Sequence, residues 1–496
     1  MELVKKQFLV VIMILMFTGC AKQEVRIIVE IQGQPDVNTL MYSVPISGTM
    51  FWGFVDTLKQ SETGKFALNL QIDQSSFVTI FSEDDRFWSR NPQNRVKLFI
   101  EQGKQYHVSI DALKNVKISG ANEKGQMLYA TLPDPVYTEL ESRKWLYNND
   151  TVPFISVHQQ INDLKQADLS KFKELLDGKA ITKSYFDLIQ KDRDCYYASL
   201  EARLLIIKSY DNYRSRFGNK EDDLLNYLKA IYEQYPPNDE SLLLSSYWAE
   251  YARLFVEEYN QFIHGNFDLQ KLSELKKEGT YHTHIINESK KYLSGKMLEF
   301  FRASYIWYRC ADYGSVDKDL ISSFEQYKKD YPQSEYANYL KPYIDKIIDY
   351  HLIKEQPFGP AVLFMDNYST INTLYEAIKP LLGKKIYIDV WASWCGPCKE
   401  EFEYNNALKE ILAENDIQLL YISTDRDSDE QQWKNAIKFY RLNGIHIRAN
   451  KELGNNLSQQ HHLTAIPRYI LIDEKGNIME EHAKRPSQLV SGEKLW

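Results

Sequence analysis

Cysteine is scarce in this chain, with only five cysteines among 496 residues. That number is too small for a scaffold built from disulfide bonds, so a hydrophobic core must hold the fold together. An excess of basic residues is also missing, because 60 lysines and arginines stand against 68 aspartates and glutamates and leave a net charge of −8. Without a basic footprint, the sequence gives no reason to expect a nucleic-acid partner.

The apolar run near the start of the chain, Phe8 to Phe17, is too short for a membrane-spanning helix, which takes about 20 residues. Lys5-Lys6 precede it and Thr18-Gly-Cys20 follow it, a pattern typical of a secretory signal. The small residues before the cysteine resemble a bacterial lipobox, although Phe17 replaces the usual leucine. The resemblance implies acylation of Cys20 and removal of residues 1–19, which makes Cys20 a lipid anchor. An ordinary secretory signal is the alternative, and in either case the protein leaves the cytoplasm.

The chain is long enough for about three domains, and its pattern changes twice. In residues 20–118, short segments alternate apolar and polar residues between clusters of Gly, Asn or Asp, which predicts a small antiparallel β-sandwich. The predicted strands are 25–31, 39–44, 65–71, 77–81, 95–100 and 106–110. No catalytic pattern occurs here, so we interpret this region as a spacer or docking module. Four aromatic residues are candidates for a binding face, with loop or core packing as the alternative: Phe51, Trp52, Phe87 and Trp88.

Residues 119–354 show helical periodicity and predict a helical bundle. Met297, Phe301 and Tyr305 recur at steps of four, and an aromatic stripe of this kind belongs more often to a core than to a ligand site. Tyr-Pro pairs at 235–236 and 331–332 predict two helix ends, and the segment 354–360 reads as a linker. Cys195 and Cys310 are either free thiols, which we favour, or one disulfide, whose distance requirement a sequence cannot establish.

The third region, residues 361–496, alternates predicted strands and helices, as an α/β domain needs. Its centre is a buried strand at 384–390, followed by Trp391-Ala-Ser-Trp-Cys-Gly-Pro-Cys398 and a helical segment. Two cysteines separated by two residues at such a turn predict a redox-active dithiol. Cys395 would lie at the helix N-terminus, where free N–H groups and the helix dipole favour an exposed thiolate. Cys398, one turn further on, would be shielded and suited to the resolving role.

Half of a zinc site is the alternative interpretation of a Cys-x-x-Cys pair. A zinc site needs a second pair of ligands, and the candidates are the adjacent His461-His462 and the distant His282-Thr-His284. The sequence has no second Cys-x-x-Cys pair. We therefore expect neither a metal nor another cofactor, and we expect the His282-Thr-His284 segment to be a solvated loop.

The segment Asp389 to Lys399 resembles the active-site stretch of the thioredoxin superfamily nearly residue for residue. The second part of the resemblance is Thr464-Ala-Ile-Pro467 with the strand that follows it. The resemblance implies a C-terminal thioredoxin fold, from about residue 364 onward, in which Pro467 is a cis-proline beside the dithiol. A cis bond needs a structural reason to persist, and a peptide-binding loop supplies one. The residues that would contact an extended client peptide are Trp394, Gly396, Pro397, Ile466 and Pro467.

Within the superfamily, the chain resembles the membrane-anchored TlpA/ResA-like proteins more than soluble thioredoxin. Residues 20–118 are similar to the β domain that often precedes such modules in Gram-negative lipoproteins. Glu401, three residues past Cys398, matches an acidic position that the anchored proteins carry near the dithiol, although the proline usual two residues later is Glu403 here.

Asp389 lies where thioredoxin keeps a buried carboxylate. The lysine that opposes this carboxylate in thioredoxin has no equivalent in residues 419–424. Burial without that partner would raise the pKa of Asp389 and favour the neutral acid. Our hypothesis is that Asp389 exchanges a proton with Cys398 during catalysis. A strand-end aspartate with a satisfied hydrogen bond is the alternative.

The resemblance implies a thiol-disulfide oxidoreductase of the cell envelope, on the inner or outer membrane. The Cys395 thiolate would attack a disulfide of an exported protein, and Cys398 would resolve the mixed disulfide. Gly396-Pro397 matches the reducing thioredoxins, so we predict a disulfide reductase that an envelope electron-donor protein recharges. One alternative is an oxidase or isomerase of the same fold. The other is a lipid-anchored binding or scaffold protein with a vestigial thioredoxin domain.

Overall fold

In a computed structural model, the described residues are 22–33, 37–82, 95–132, 154–215, 221–259, 269–312 and 314–495. The chain divides into two compact units, the first made of residues 1–313 and 319–342 and the second of residues 314–318 and 343–496. The predicted signal segment with Cys20, and the aromatic pair Phe87 and Trp88, lie outside the described residues. The division into three domains stays a prediction. Among the described helices, none combines the length and the apolar character needed to cross a bilayer.

The first unit opens with two four-stranded sheets. Their strands are β1 (Gln23–Ile31), β2 (Thr39–Ser43), β3 (Val55–Lys59), β4 (Lys65–Ile72), β5 (Ser76–Ser82), β6 (Arg95–Ile100), β7 (Gln105–Ile110) and β8 (Val116–Gly120). The strand orders are β4-β1-β7-β8 and β3-β2-β5-β6. Alternate residues of each strand point to one face, so a single hydrophobic core takes residues from both sheets, including Val29 of β1 and Leu98 of β6.

One strand pair departs from the predicted antiparallel arrangement. β1 and β7 run parallel, with Val29 opposite Val108, so their sheet is mixed and the prediction of a wholly antiparallel sandwich is wrong at this pair. The alternation of apolar residues does not encode strand direction, and the long connection between β1 and β7 allows the chain to return in the same sense. The sequence pattern also does not reveal β3 or β8.

The described residues then form a series of helices. They are α1 (Glu123–Ala130), α2 (Phe154–Asp177), α3 (Lys183–Ser215), α4 (Glu221–Gln234), α5 (Trp248–Leu254), α6 (Leu269–Glu278), α7 (Tyr281–Ser289), α8 (Gly295–Trp307), α9 (Lys318–Asp330) and α10 (Tyr336–Ile353). π-helical turns extend α5 and α8, at Phe255–Tyr259 and Tyr308–Asp312. α4 and α9 end directly before the two Tyr-Pro pairs, because proline restricts the preceding residue and has no N–H to donate.

The structure tests three expectations for side chains of the first unit. Phe51 is 3% exposed and packs edge-on against Trp307, so it belongs to the core rather than to a binding face. His282 lies in α7 and is 3% exposed, with Nδ1 2.8 Å from Tyr305 Oη, so the expectation of a solvated loop is wrong. Cys195 is a buried thiol, so the alternative of a Cys195–Cys310 disulfide is not realised, and burial raises the pKa of Cys195.

The second unit contains one six-stranded sheet with helices on its faces. Its elements are β9 (Val362–Phe364), α11 (Leu374–Ile378), β10 (Lys385–Trp391), α12 (Gly396–Glu401), α13 (Asn405–Glu414), β11 (Ile417–Ser423), α14 (Glu430–Phe439), β12 (Gly444–Arg448), α15 (Lys451–Gln460), β13 (Arg468–Ile472), β14 (Ile478–Glu480) and α16 (Pro486–Val490). The strand order is β14-β13-β10-β11-β12-β9. β10 is therefore internal, parallel to β11 and antiparallel to β13.

The two faces of β10 enter different hydrophobic clusters. Ile386, Ile388 and Val390 pack with residues of α11 and α15 on one side. Tyr387 and Trp391 point to the other side, towards α12 to α14 and α16. Because β10, β11 and β12 are parallel, their carboxyl ends meet at one edge of the sheet, where loop residues can converge on a site.

Candidate active site

The two cysteines of the Cys-x-x-Cys pair lie where β10 leads into α12. Cys395 is the N-cap residue of α12, with φ −81° and ψ 105°, and Pro397 lies in the first turn, where an N–H is not needed. The Cys398 N–H donates a hydrogen bond to Cys395 Sγ at 3.2 Å. A sulfur thus takes the place of the usual capping oxygen, in a position where a thiolate would be stabilised. Cys395 and Cys398 form a disulfide bond.

In this turn the side chain next to the disulfide is exposed, whereas both sulfurs are covered. Trp394 is 63% exposed, whereas Cys395 is 4% exposed and Cys398 is fully buried. The expectation of an exposed Cys395 is therefore wrong for this oxidised state. Both cysteines belong to an apolar cluster with Trp391 and Phe402, whose rings shield the sulfurs from water. The shielding of Cys398 agrees with its predicted position one turn into the helix.

The loop before β13 supplies the second part of the site. The Ile466–Pro467 peptide bond is cis, as the resemblance implies. Ile466 is partly buried and packs against the apolar cluster that contains both cysteines. The structure thus brings the predicted peptide-binding loop to the same cluster as the dithiol, although some 70 residues separate them in the chain.

Asp425, in the loop after β11, holds the chain just before the dithiol. The carboxylate is 1% exposed and accepts hydrogen bonds from the Ser393 N–H at 2.9 Å and from the Ser393 hydroxyl at 2.6 Å. It also accepts a bond from the Ser423 hydroxyl at 2.6 Å. Sequence reasoning missed this residue. The signal available was an aspartate at the carboxyl end of the strand next to the central strand.

Asp389 lies in the middle of a row of large side chains that crosses the sheet. Tyr421 of β11 and Tyr469 of β13 are its direct neighbours in register, and His446 of β12 lies beyond Tyr421. The His446 and Tyr421 rings stack with centroids 4.9 Å apart. Asp389 is fully buried, and neither of its carboxyl oxygens has a hydrogen-bond partner among the described residues. The alternative of a satisfied strand-end aspartate is therefore wrong.

Burial raises the pKa of Asp389 well above its ordinary value, and the charge of Glu401 adds to the effect. The two flanking tyrosines supply no positive charge, unlike a lysine, so nothing in the row favours the ionised form. Burial likewise raises the pKa of Tyr421, with the Asp389 carboxyl as the second cause. The surroundings of Asp389 therefore favour its neutral acid over the ionised form.

Glu401, the last residue of α12, is anchored to α16. Its side chain is 9% exposed and accepts hydrogen bonds from the Ser487 N–H at 3.0 Å and from the Ser487 hydroxyl at 3.1 Å. Arg485 Nη1 lies 3.7 Å from Glu401 Oε1. The carboxylate thus satisfies a free N–H at the start of α16, where negative charge is also favoured by the helix dipole. This contact connects α12 to α16, which lie on the same face of the sheet.

A mixed sheet with a helix-capping disulfide at the carboxyl end of its central strand, facing a cis-proline loop, defines a thioredoxin-like domain. The family model described as Redoxin matches residues 360–491, which agrees with this class. The matched residues form a redoxin domain in the C-terminal part of the chain.

Among curated proteins, the chain is 30% identical over 104 residues to "Thiol-disulfide oxidoreductase ResA" of Bacillus cereus, which covers 21% of this chain and 57% of that protein. It is 27% identical over 125 residues to "Sporulation thiol-disulfide oxidoreductase A" of Bacillus subtilis, covering 25% of this chain and 72% of that protein. The solved structure of a "thiol-disulfide oxidoreductase from Bacteroides fragilis NCTC 9343" is 23% identical, with 22% of this chain and 80% of that chain covered and a TM-score of 0.20. The chain thus spans little more than half the length of the ResA proteins it matches.

Proposed function

We propose that this protein is a thiol-disulfide oxidoreductase of the cell envelope that reduces disulfide bonds in exported proteins. The observation that supports this function best is the disulfide between Cys395 and Cys398 at the N-cap of α12, within a redoxin domain. A structural disulfide has no need of a helix N-terminus or of an adjacent cis-proline loop, whereas a redox-active one uses both.

In the reduced enzyme, Cys395 acts as the nucleophile. Its thiolate attacks one sulfur of a client disulfide, the client S–S bond breaks, and the other client sulfur leaves as a thiolate that takes up a proton. Cys398 then attacks Cys395 Sγ, which releases the second client thiol and forms the Cys395–Cys398 disulfide. Two electrons pass from the enzyme to the client, and an electron-donor protein of the envelope restores the dithiol.

Asp389 serves this cycle by exchanging a proton with Cys398, which it accepts when ionised and returns when neutral. A buried thiol must lose its proton before it attacks, and water is excluded from the apolar cluster around it. Asp389 is a buried carboxyl on the same face of β10, and its register neighbour Tyr421 belongs to that cluster. A carboxyl with a raised pKa is matched to accepting and returning a proton near neutral pH.

The client polypeptide lies across the exposed rim of the site. Trp394, Gly396 and Pro397 are exposed on the dithiol side, and Ile466 and Pro467, which are half-buried, would form the opposite wall. In this arrangement a client backbone reaches Cys395, while Cys398 stays covered. Glu401 keeps α12 in place through Ser487 and contributes negative charge near Asp389.

The envelope location rests on the predicted signal and on acylation at Cys20, which would anchor the protein to the inner or outer membrane. The β-sandwich and helical bundle of the first unit would act as a spacer or docking module. Radiolabelled palmitate should enter the wild-type protein and not Cys20→Ser.

The function is tested by the reduction of insulin disulfides with dithiothreitol as the electron source. Wild-type protein should accelerate the reaction, Cys395→Ser should not, and Cys398→Ser should accumulate a mixed disulfide that a reductant releases. Equal rates for wild type and Cys395→Ser would leave only the scaffold function. A dithiol potential well above that of envelope reductants would reverse the direction and favour the oxidase or isomerase.

A further inference from the structure

A cavity of about 340 Å³ opens at the carboxyl ends of β11 and β12, within the second unit. Its walls come from the loop after β11 and from the first turn of α15. We call it the cationic cleft and define it by Arg426, Arg448, Lys451 and Gly454. Its volume falls in the lower part of the range of ligand sites, about 300–1,000 Å³.

The charges that line the cationic cleft do not cancel. Asp425 is buried and accepts hydrogen bonds from Ser393 and Ser423, and Asp427 forms an ion pair with Arg448. Arg426 and Lys451 are exposed, and neither side chain has an ion pair or hydrogen bond with another described residue. Arg426, Arg448 and Lys451 stand against Asp425 and Asp427, so the lining carries a net charge of +1, and its two cations without an ion pair to a described residue are Arg426 and Lys451.

Arg448 is the buried cation in the lining of the cleft. The residue is 7% exposed, and its Nε has no hydrogen-bond partner among the described residues, although its Nη atoms face Asp427 and Glu430. The guanidinium therefore keeps one unused donor, which can give a carboxylate one further charge-assisted hydrogen bond. Gly454 leaves this space open, because a Cβ added there would meet no atom within 4 Å.

The cationic cleft is joined to the dithiol turn by a short chain of contacts. Asp425 lines the cleft and binds Ser393, which stands two residues before Cys395. A polypeptide held across the dithiol would therefore place residues beside its own disulfide at the cleft. The protein as a whole carries a net charge of −8, so an acidic partner is attracted only by a local feature such as this one.

We propose that the cationic cleft binds an acidic segment of the client polypeptide that flanks the disulfide to be reduced. This inference rests on the proposed reductase function and adds a preference among its substrates. Carboxylate side chains of the client would pair with Arg426 and Lys451, and one of them would reach Arg448. Each such pairing should change kcat/KM by about two- to fivefold, the range of partly exposed ion pairs.

The test compares two disulfide-bonded peptides that differ only in flanking residues, aspartate in one and lysine in the other, with the full-length protein. Wild type should favour the acidic peptide in kcat/KM, with a preference that weakens in high salt. Gly454→Glu places a carboxylate in the cleft and should remove the preference, whereas Gly454→Ala makes the same gain in helix propensity without charge and should keep it. Lys451→Glu should also remove it, and Lys475→Glu, in the turn after β13, should keep it.

A second measurement separates the cleft from the reductase function. The anisotropy of a fluorescent, cysteine-free acidic peptide should report binding to Cys395→Ser protein, and Gly454→Glu should abolish that binding. Binding without reduction of either peptide would refute the reductase function and retain the cleft. Reduction of both peptides at equal rates, or loss of the preference in Gly454→Ala, would overturn the proposal that the cleft binds an acidic segment. Binding of inorganic phosphate without any binding of the peptide would overturn it as well.

Discussion

The replacement of Asp389 by asparagine should change the stability of the second unit relative to wild type in a pH-dependent way, in favour of the variant as pH rises. Burial raises the pKa of Asp389 above the ordinary value of 3.8, so the folded state keeps a proton that the unfolded state loses. Stability from this group is fully present below about pH 4 and is lost as pH rises towards the folded pKa. Asparagine has no proton to lose. Its buried amide carries a cost of its own, but that cost does not depend on pH.

The magnitude follows from linkage. Between the unfolded and folded pKa values, each pH unit removes about 1.4 kcal/mol from wild type and nothing from Asp389→Asn. This is a factor of about ten in the equilibrium constant for opening. Hydrogen exchange of the β10 amides, followed by mass spectrometry in the oxidised proteins, reports that constant for the second unit alone. Comparison of the two proteins at the same pH cancels the chemical exchange rate.

The ratio of wild-type to variant exchange rates should therefore rise with pH above about pH 4, by about tenfold for each pH unit until the pH reaches the folded pKa. A ratio that stays constant or falls as pH rises above about 4 would refute the reasoning that burial raises the pKa of Asp389. Asp416→Asn is the matched control, because the Asp416 side chain is 77% exposed in the same unit and its replacement should give a flat ratio.

Three further predictions concern the second unit. Burial lowers the pKa of His446 from 6.5 to about 4, so the folded state binds fewer protons, and about 3 kcal/mol of stability present above pH 6.5 should be lost as pH falls to 4. His446→Phe should lose less, as measured by urea unfolding at both pH values. Glu401→Gln should weaken the hold on α16 by about 1–2 kcal/mol and speed its hydrogen exchange, and Ser487→Ala, which removes one of the two bonds, should do so less. Ile388→Ala, at a fully buried position, should cost about 2–5 kcal/mol in thermal unfolding, while Leu363→Ala, 56% exposed, should cost under about 0.5 kcal/mol.

Elements with strong local signals are predictable from the sequence. The run of Ile, Tyr and Val before the dithiol identifies β10, and the apolar residues of segment 417–423 likewise favour the strand that forms there, β11. The ends of α4 and α9 follow from the proline that comes next. The cis bond before Pro467 follows from the family resemblance.

Elements with weak local signals escape the same reasoning. β12 carries His446 and Arg448 among its buried residues, so it lacks the apolar composition of an internal strand. α15 buries only Leu453 and Leu457 among polar residues, and its pattern is too sparse to separate from a loop. These two elements contribute Arg448, Lys451 and Gly454 to the lining of the cationic cleft. The cleft therefore could not be predicted from the sequence motifs.

The sequence by itself determines the pair of thiols, their spacing and the start of the helix that caps Cys395, because these depend on residues adjacent in the chain. Only the tertiary structure decides that Cys395 is covered when oxidised, that the buried Asp389 carboxyl lacks a hydrogen-bond partner among the described residues and that Arg426 and Lys451 share a cleft. Exposure, pKa and summed charge depend on atoms brought together from strands and loops that are distant in the chain, and their effects appear only once the sheet has assembled.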